Sequence, residues 1–107
     1  MITIADLQKV EIKAGTVKSA ERVAGTDRLL KLDVDLGEGR LRPLVAGIAV
    51  SYPPESLVGR QVVVVTNLEP VTVRGVRSEG MLLACGDVQS ASLVVPDHPV
   101  ADGAIVH

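Results

Sequence analysis

The chain contains no Trp and no Phe, and Tyr52 is its only aromatic residue. Its core must therefore be built from Val, Leu, Ile and Ala. Any function that needs a row of rings to stack on bases is excluded. Cysteine is as scarce: Cys85 stands alone, so neither an intramolecular disulfide nor a Cys-rich zinc site is available. The two histidines, His98 and His107, both fall in the last ten residues. Long apolar runs are missing too. The longest valine run covers 62–65, far short of the ~20 apolar residues a membrane helix needs. The opening MITIADLQKVEIK has an early acid and no apolar h-region, which argues against a signal peptide. The expected compartment is the cytoplasm, with no membrane contact. There is no basic excess: 11 Lys and Arg stand against 13 Asp and Glu, a formal charge of −2. A uniformly basic nucleic-acid protein is excluded, but a local basic patch is not.

What is present is a single-domain chain. Its 107 residues fit one domain, read as spanning 1–107, and no linker or repeat divides it. Apolar types make up 47% and charged types 22%, which argues against disorder. Charge is uneven: residues 81–107 carry Asp87, Asp97 and Asp102 and no Lys or Arg. Thr3 and Asp6 have capping-box spacing, which predicts a short helix at about 3–9. From Gly15 onward the pattern is β. A strand is expected at 16–23. Leu30, Leu32, Val34 and Leu36 alternate with Lys31, Asp33 and Asp35, the period of a half-buried strand. Gly37 and Gly39 close a hairpin to a return strand at 40–48, where Pro43 implies an edge or a bulge. Pro53 and Pro54 begin one helical turn that Gly59 ends. Valines 62–65 form a strand buried on both sides, and 81–85 another buried strand. Residues 71–76 are a short strand or extended loop, and short strands follow at 92–95 and 104–106. Many short strands with regular Gly breaks predict an all-β fold, a small closed or nearly closed barrel, with a sandwich as the competing layout.

Catalytic groups are poorly represented. Nucleophilic chemistry needs Cys or Ser beside a His and an orienting carboxylate. The histidines lie in the acidic tail, and Cys85 follows Leu-Leu-Ala, the setting of a small buried hydrophobe. Asp33 and Asp35 alternate with leucines as the solvated side of a strand does, so no catalytic residue, metal or cofactor is expected. The segment with chemistry in it is 67–84. Arg74 and Arg77 bracket Gly75, and Ser78, Glu79, Gly80 and Met81 follow. Two guanidinium groups, a hydroxyl and approachable backbone N–H groups can hold phosphate oxygens. The plain alternative is a solvated hairpin loop with Glu79 paired to an arginine.

The ordered set Asn67-Leu68-x-Pro70, then Arg74-Gly75-Val76-x-Ser78-Glu79-Gly80-Met81-Leu82-Leu83-Ala84, closely resembles the signature of the tRNA-binding domain family. That family includes the C-terminal domain of methionyl-tRNA synthetases, free-standing tRNA-binding proteins and CsaA-type chaperones. The blocks around Ile12-Lys13-Ala14-Gly15, Thr26-Asp27-Arg28-Leu29, Arg42-Pro43-Leu44-Val45 and Tyr52-x-Pro54-Glu55 follow in family order over nearly the whole chain. The resemblance implies an OB-fold: a five-stranded barrel with a short N-terminal helix and a C-terminal strand extension. It implies a non-catalytic homodimer that binds tRNA, with a methionyl-tRNA synthetase as partner. Lacking stacking rings, such a chain would recognise folded tRNA by shape, phosphate and 2′-OH contacts.

By the same resemblance, Lys13, Lys31, Arg42, Asn67, Arg74, Arg77, Ser78, Glu79 and Met81 would form the RNA surface. Lysines and arginines would meet phosphates, Asn67 and Ser78 would hydrogen-bond, and Glu79 would orient an arginine. Met81 would offer an apolar face or pack in the core. Two blocks depart from the family pattern. Lys13 replaces an arginine, keeping charge but losing the bidentate fork. Pro43 and Ala46 lack a donor and a hydroxyl that the family usually has. The charge-poor stretch Leu93-Val94-Val95-Pro96 is the candidate dimer seam, since its apolar edge would otherwise be exposed. Two other readings stand beside tRNA binding. One is a CsaA-type protein-export chaperone that binds unfolded polypeptides. The other is a module that only dimerises a synthetase.

Overall fold

A computed structural model describes all 107 residues. The N-terminal helix, α1 (Ile4–Leu7), is one turn long. Its capping box forms as expected, with the Asp6 N–H donating to Thr3 Oγ1 and the Thr3 N–H to the Asp6 carboxylate, each at 3.1 Å. It stops short of residue 9 because nothing buries its apolar side: Ile4 and Leu7 are exposed, and helices this short depend on packing.

Strand β1 (Ile12–Arg22) starts four residues before the expected 16. It pairs along its first half with β4 (Gln61–Val65) and along its second with β2 (Leu30–Asp35). The register shifts between Val17 and Ser19, a bulge that lets one long strand bend around the barrel. A Cβ on Gly15 would fall 2.5 Å from the Asp35 carbonyl oxygen, so only glycine allows the two strands to approach there. β3 (Leu41–Ala46) pairs with β2, and β7 (Met81–Leu82) with β4, giving the order β3-β2-β1-β4-β7. Pro43 sits on β3, an edge of this sheet, as its missing N–H requires. The edges then meet. The Glu79 N–H donates to the Pro43 carbonyl at 2.8 Å, and the Val45 N–H to Ser78 Oγ at 3.0 Å. The result is a nearly closed five-strand barrel, not a sandwich. A hairpin, β5 (Val71–Val73) and β6 (Val76–Ser78), and a small ladder, β8 (Ala84–Gly86) with β9 (Ala91–Leu93), decorate it.

The barrel interior is aliphatic. Leu30, Leu32, Leu44, Leu57, Val17, Val34, Val62 and Val64 are fully buried, each contributing about 1.5–3 kcal/mol of transfer free energy. Tyr52 serves this core: its hydroxyl accepts the Leu93 N–H at 3.0 Å, and its ring lies 5.6 Å from the Arg60 guanidinium. Two expectations fail at the C-terminal side. The strand expected at 81–85 is neither continuous nor buried. Leu83 donates to Val63 O but accepts from the Val94 N–H, so the chain changes partner there and carries Cys85 to the surface. The strand expected at 104–106 shrinks to a single bridge between Lys13 and Ile105.

Candidate nucleic-acid interface

The β5–β6 hairpin turns on Arg74 and Gly75, at φ +52° and +78°, between the paired residues Val73 and Val76. Two successive left-handed residues make a tight turn whose twist matches the strands. Gly75 adopts this freely, while Arg74 pays a steric cost and projects at the tip. The hairpin leaves a cleft of about 400 Å³ against the outer barrel face, lined by Glu21, Lys31, Pro43, Gly75, Val76 and Arg77. A second hollow of about 320 Å³ shares Lys31, Glu21 and Val76 and adds Arg22 and Arg74. Four cations from three separate segments thus surround two hollows that share Glu21, Lys31 and Val76, and Glu21 is the only acid lining either. Arg22, Lys31 and Arg74 form no ion pair, so their charge is available to an anion.

Glu79 braces this group. Its carboxylate accepts from Arg40 at 2.7 Å and from Arg77 Nε at 3.2 Å. These bonds, the one from Arg40 foremost, hold its carboxyl below the usual carboxylate range, while Glu79 raises the Arg40 guanidinium in turn. Arg40 was not among the expected residues. It follows two turn glycines, and nothing in its local sequence places it beside Glu79.

The remaining expected residues face inward or elsewhere. Arg42 is 14% exposed and donates to four oxygens: the carbonyls of Thr66 at 2.7 Å and Glu79 at 2.9 Å, and both carboxylate oxygens of Glu38 at 2.9 and 3.0 Å. Those Arg42 bonds lower the Glu38 carboxyl. Ser78 is buried and closes the barrel. Asn67 accepts the Glu11 N–H at 2.8 Å and donates to the Lys9 carbonyl at 2.7 Å, tying the segment after α1 to the end of β4. Lys13 sits 3.4 Å from Glu11, whose carboxyl is lowered first by the Thr66 hydroxyl bond and then by Lys13. Met81 is half-exposed and lines a separate apolar hollow. Of the expected seam, Leu93 points into the barrel core, while Val94 and Val95 stay exposed. Val94, Val95 and Pro96 line an apolar groove of about 300 Å³ with Ala14, Val63 and Ile105 among others.

Because Glu11, Glu38 and Glu79 are all lowered by native partners, the unfolded chain binds more protons than the folded one as pH drops. Stability from these groups is complete above the ordinary carboxylate range and is lost as pH falls through their lowered values. Urea unfolding from pH 7 to pH 3 should show a flat midpoint above about pH 5 and a decline below it. Glu38→Gln with Glu79→Gln should flatten that acid limb.

Residues 12–104 match the family described as "Putative tRNA binding domain". The chain belongs to this family. It is 49% identical over 105 residues to the methionine–tRNA ligase of Helicobacter pylori, covering 98% of this chain but 16% of that protein's length. Several solved structures share the fold over the entire chain, among them two of higher sequence identity. A MetRS-related protein from Pyrococcus horikoshii is 36% identical with a TM-score of 0.91, over 98% of its own chain. The chaperone CsaA from Bacillus anthracis is 29% identical with a TM-score of 0.91, over 99% of its own chain. No helix of the chain is long and apolar enough to cross a membrane.

Proposed function

We propose that the chain is a non-catalytic tRNA-binding module that serves a methionyl-tRNA synthetase. The observation that carries this reading is the convergence of Arg22, Lys31, Arg74 and Arg77 around two hollows of the barrel wall that share Lys31. Family membership supports tRNA as the polyanion, and likeness to a methionine–tRNA ligase supports the synthetase. Contacts are to phosphate and ribose of the folded tRNA, read by shape. Arg77 is aimed by Glu79. Arg42, Ser78 and Asn67 act indirectly, by holding the segment that carries the hairpin. A titration of tRNA against salt tests the reading: log K should fall with log salt by about 0.7–0.9 per phosphate contact, a slope of about 2–4 for this cluster. A flat response refutes it.

The likeness to CsaA over the whole chain favours one second reading, a chaperone for unfolded polypeptides. That reading requires suppression of client aggregation without RNA, undiminished by Arg74→Ala.

The active form on this proposal is a homodimer joined through the groove of Val94, Val95 and Pro96. The chain exposes 6480 Å², where a compact monomer of its mass exposes about 5,700 Å². Val94, Val95, Val100, Ile105 and Val106 are among its exposed apolar residues. Sedimentation should give a dimer, and Val95→Asp a monomer.

A further inference from the structure

Beside the cationic cleft lies a hollow of a different kind. Its volume is about 390 Å³, and residues 45–48 and 81–88 with Ala91 wall it. Small-molecule sites typically measure about 300–1,000 Å³. Ten of its 13 lining residues are apolar, none is a cation, and Asp87 is its one charged group. Strand β3 is a wall of both sites. Pro43 lines the cleft and Val45 the hollow, two residues apart and so on one face of the strand. Lys31 stands directly opposite Val45 in the β2–β3 pairing. Arg77 adjoins Ser78, whose hydroxyl holds the Val45 N–H.

Past Val45 the β3 edge is open. Pro43 has no N–H, so positions 42, 44 and 46 bond to β2, and Val45 turns its backbone the other way, as its bond to Ser78 demonstrates. Gly47, just past the end of β3, lines the hollow, and its N–H meets no partner in the fold. On the opposite wall, Asp87 Oδ1 accepts the N–H groups of Gln89 and Ser90, each at 3.0 Å, while Oδ2 has no protein donor. Apolar walls, a free backbone donor and a free carboxylate oxygen therefore adjoin a group of phosphate-binding cations.

We infer that this hollow receives the base of one unpaired RNA nucleotide whose phosphates rest on Lys31 and Arg77. The inference rests on the tRNA-binding reading and names the RNA element that reading leaves unspecified. A nucleobase is a flat apolar body with a rim of donors and acceptors. Its faces meet Val45 and Met81, a ring acceptor meets the Gly47 N–H, and an exocyclic amine meets Asp87. A chain with no stacking aromatic holds a base this way. An extended peptide would also suit the open edge, but it brings no anion for Lys31 and Arg77, so charge favours the nucleotide.

Cys85 is exposed in the wall of the hollow and is the only cysteine, so its alkylation by iodoacetamide reports occupancy. Three RNA hairpins serve as probes: one blunt, one with a single-stranded 3′ overhang, and one whose overhang is abasic. The base-bearing overhang should bind about tenfold tighter than the other two, equivalent to about 1.4 kcal/mol, and should slow alkylation severalfold. Ala84→Trp, which fills the hollow from exposed β8, should abolish that advantage and leave blunt-hairpin affinity unchanged. Equal affinity and equal Cys85 protection for the base-bearing and abasic overhangs overturn the inference while tRNA binding stands. Protection of Cys85 by an unfolded peptide but by no RNA overturns it in favour of a peptide site. Failure of all three hairpins to bind overturns the tRNA-binding reading and this inference with it.

Discussion

Replacing Lys31 and Arg74 together by alanine should weaken tRNA binding about 10- to 100-fold at low salt, or about 1.4–2.8 kcal/mol. It should also make the salt dependence shallower by about 1.4–1.8 log units. The two side chains come from β2 and from the hairpin tip, and both line the same hollow with Arg22. Neither has a carboxylate partner within the chain. Glu21, opposite Lys31 on β1, is the one acid beside them and forms no ion pair, so each counts as a phosphate contact. Arg77 is different. Its Nε is already bonded to Glu79, so phosphate must share it, and Arg77→Ala should cost less than either unpaired cation. The folded state should hardly change, because Lys31 and Arg74 make no hydrogen bond that closes the barrel. A double variant with wild-type affinity and slope would move the interface off this face. Titration of one tRNA at two salt concentrations decides it.

The barrel was legible in the sequence because its core obeys simple periods. Leu30, Leu32 and Val34 alternate and are fully buried, and Val62 to Val65 form the doubly buried strand. The capping box of Thr3 and Asp6 and the edge position of Pro43 were equally readable, since each depends on neighbours in the chain. What could not be read depends on pairs distant in sequence. Arg42 and Arg77 look alike as residues, yet Arg42 is half-buried against Thr66, Glu79 and Glu38 while Arg77 is exposed. Ser78 reads as a surface hydroxyl until β3 arrives to close over it. Cys85 reads as core because it follows Leu82, Leu83 and Ala84. The partner change at Leu83, which brings it to the surface, is set by Val63 and Val94. Leu93, expected at a seam, is taken by the chain's own interior because Tyr52 anchors its N–H.

Arg42→Ala tests the other half of the reading, that an arginine in the family signature can act without touching RNA. The guanidinium commits four of its five N–H donors to protein oxygens. Removing it leaves the Thr66 and Glu79 carbonyls without this donor and Glu38 without its charge partner. A buried polar group left unpaired costs about 1–3 kcal/mol. Glu38 is an exposed residue, so its ion pair adds at most about 1 kcal/mol, and the expected loss is about 2 kcal/mol. For a domain of this size that lowers Tm by about 8–16 °C, measurable by circular dichroism or calorimetry. Arg42→Lys should recover little, because one ammonium cannot reach oxygens spread around a planar fork. Below its own melting transition, the Arg42→Ala protein should retain the wild-type salt slope for tRNA, since no phosphate contact has been removed. Affinity should fall only as far as the Glu79 segment loosens and takes Arg77 with it. A variant that melts like wild type but loses about 0.7–0.9 of slope would show the opposite: that Arg42 leaves Glu38 when RNA arrives and binds phosphate directly.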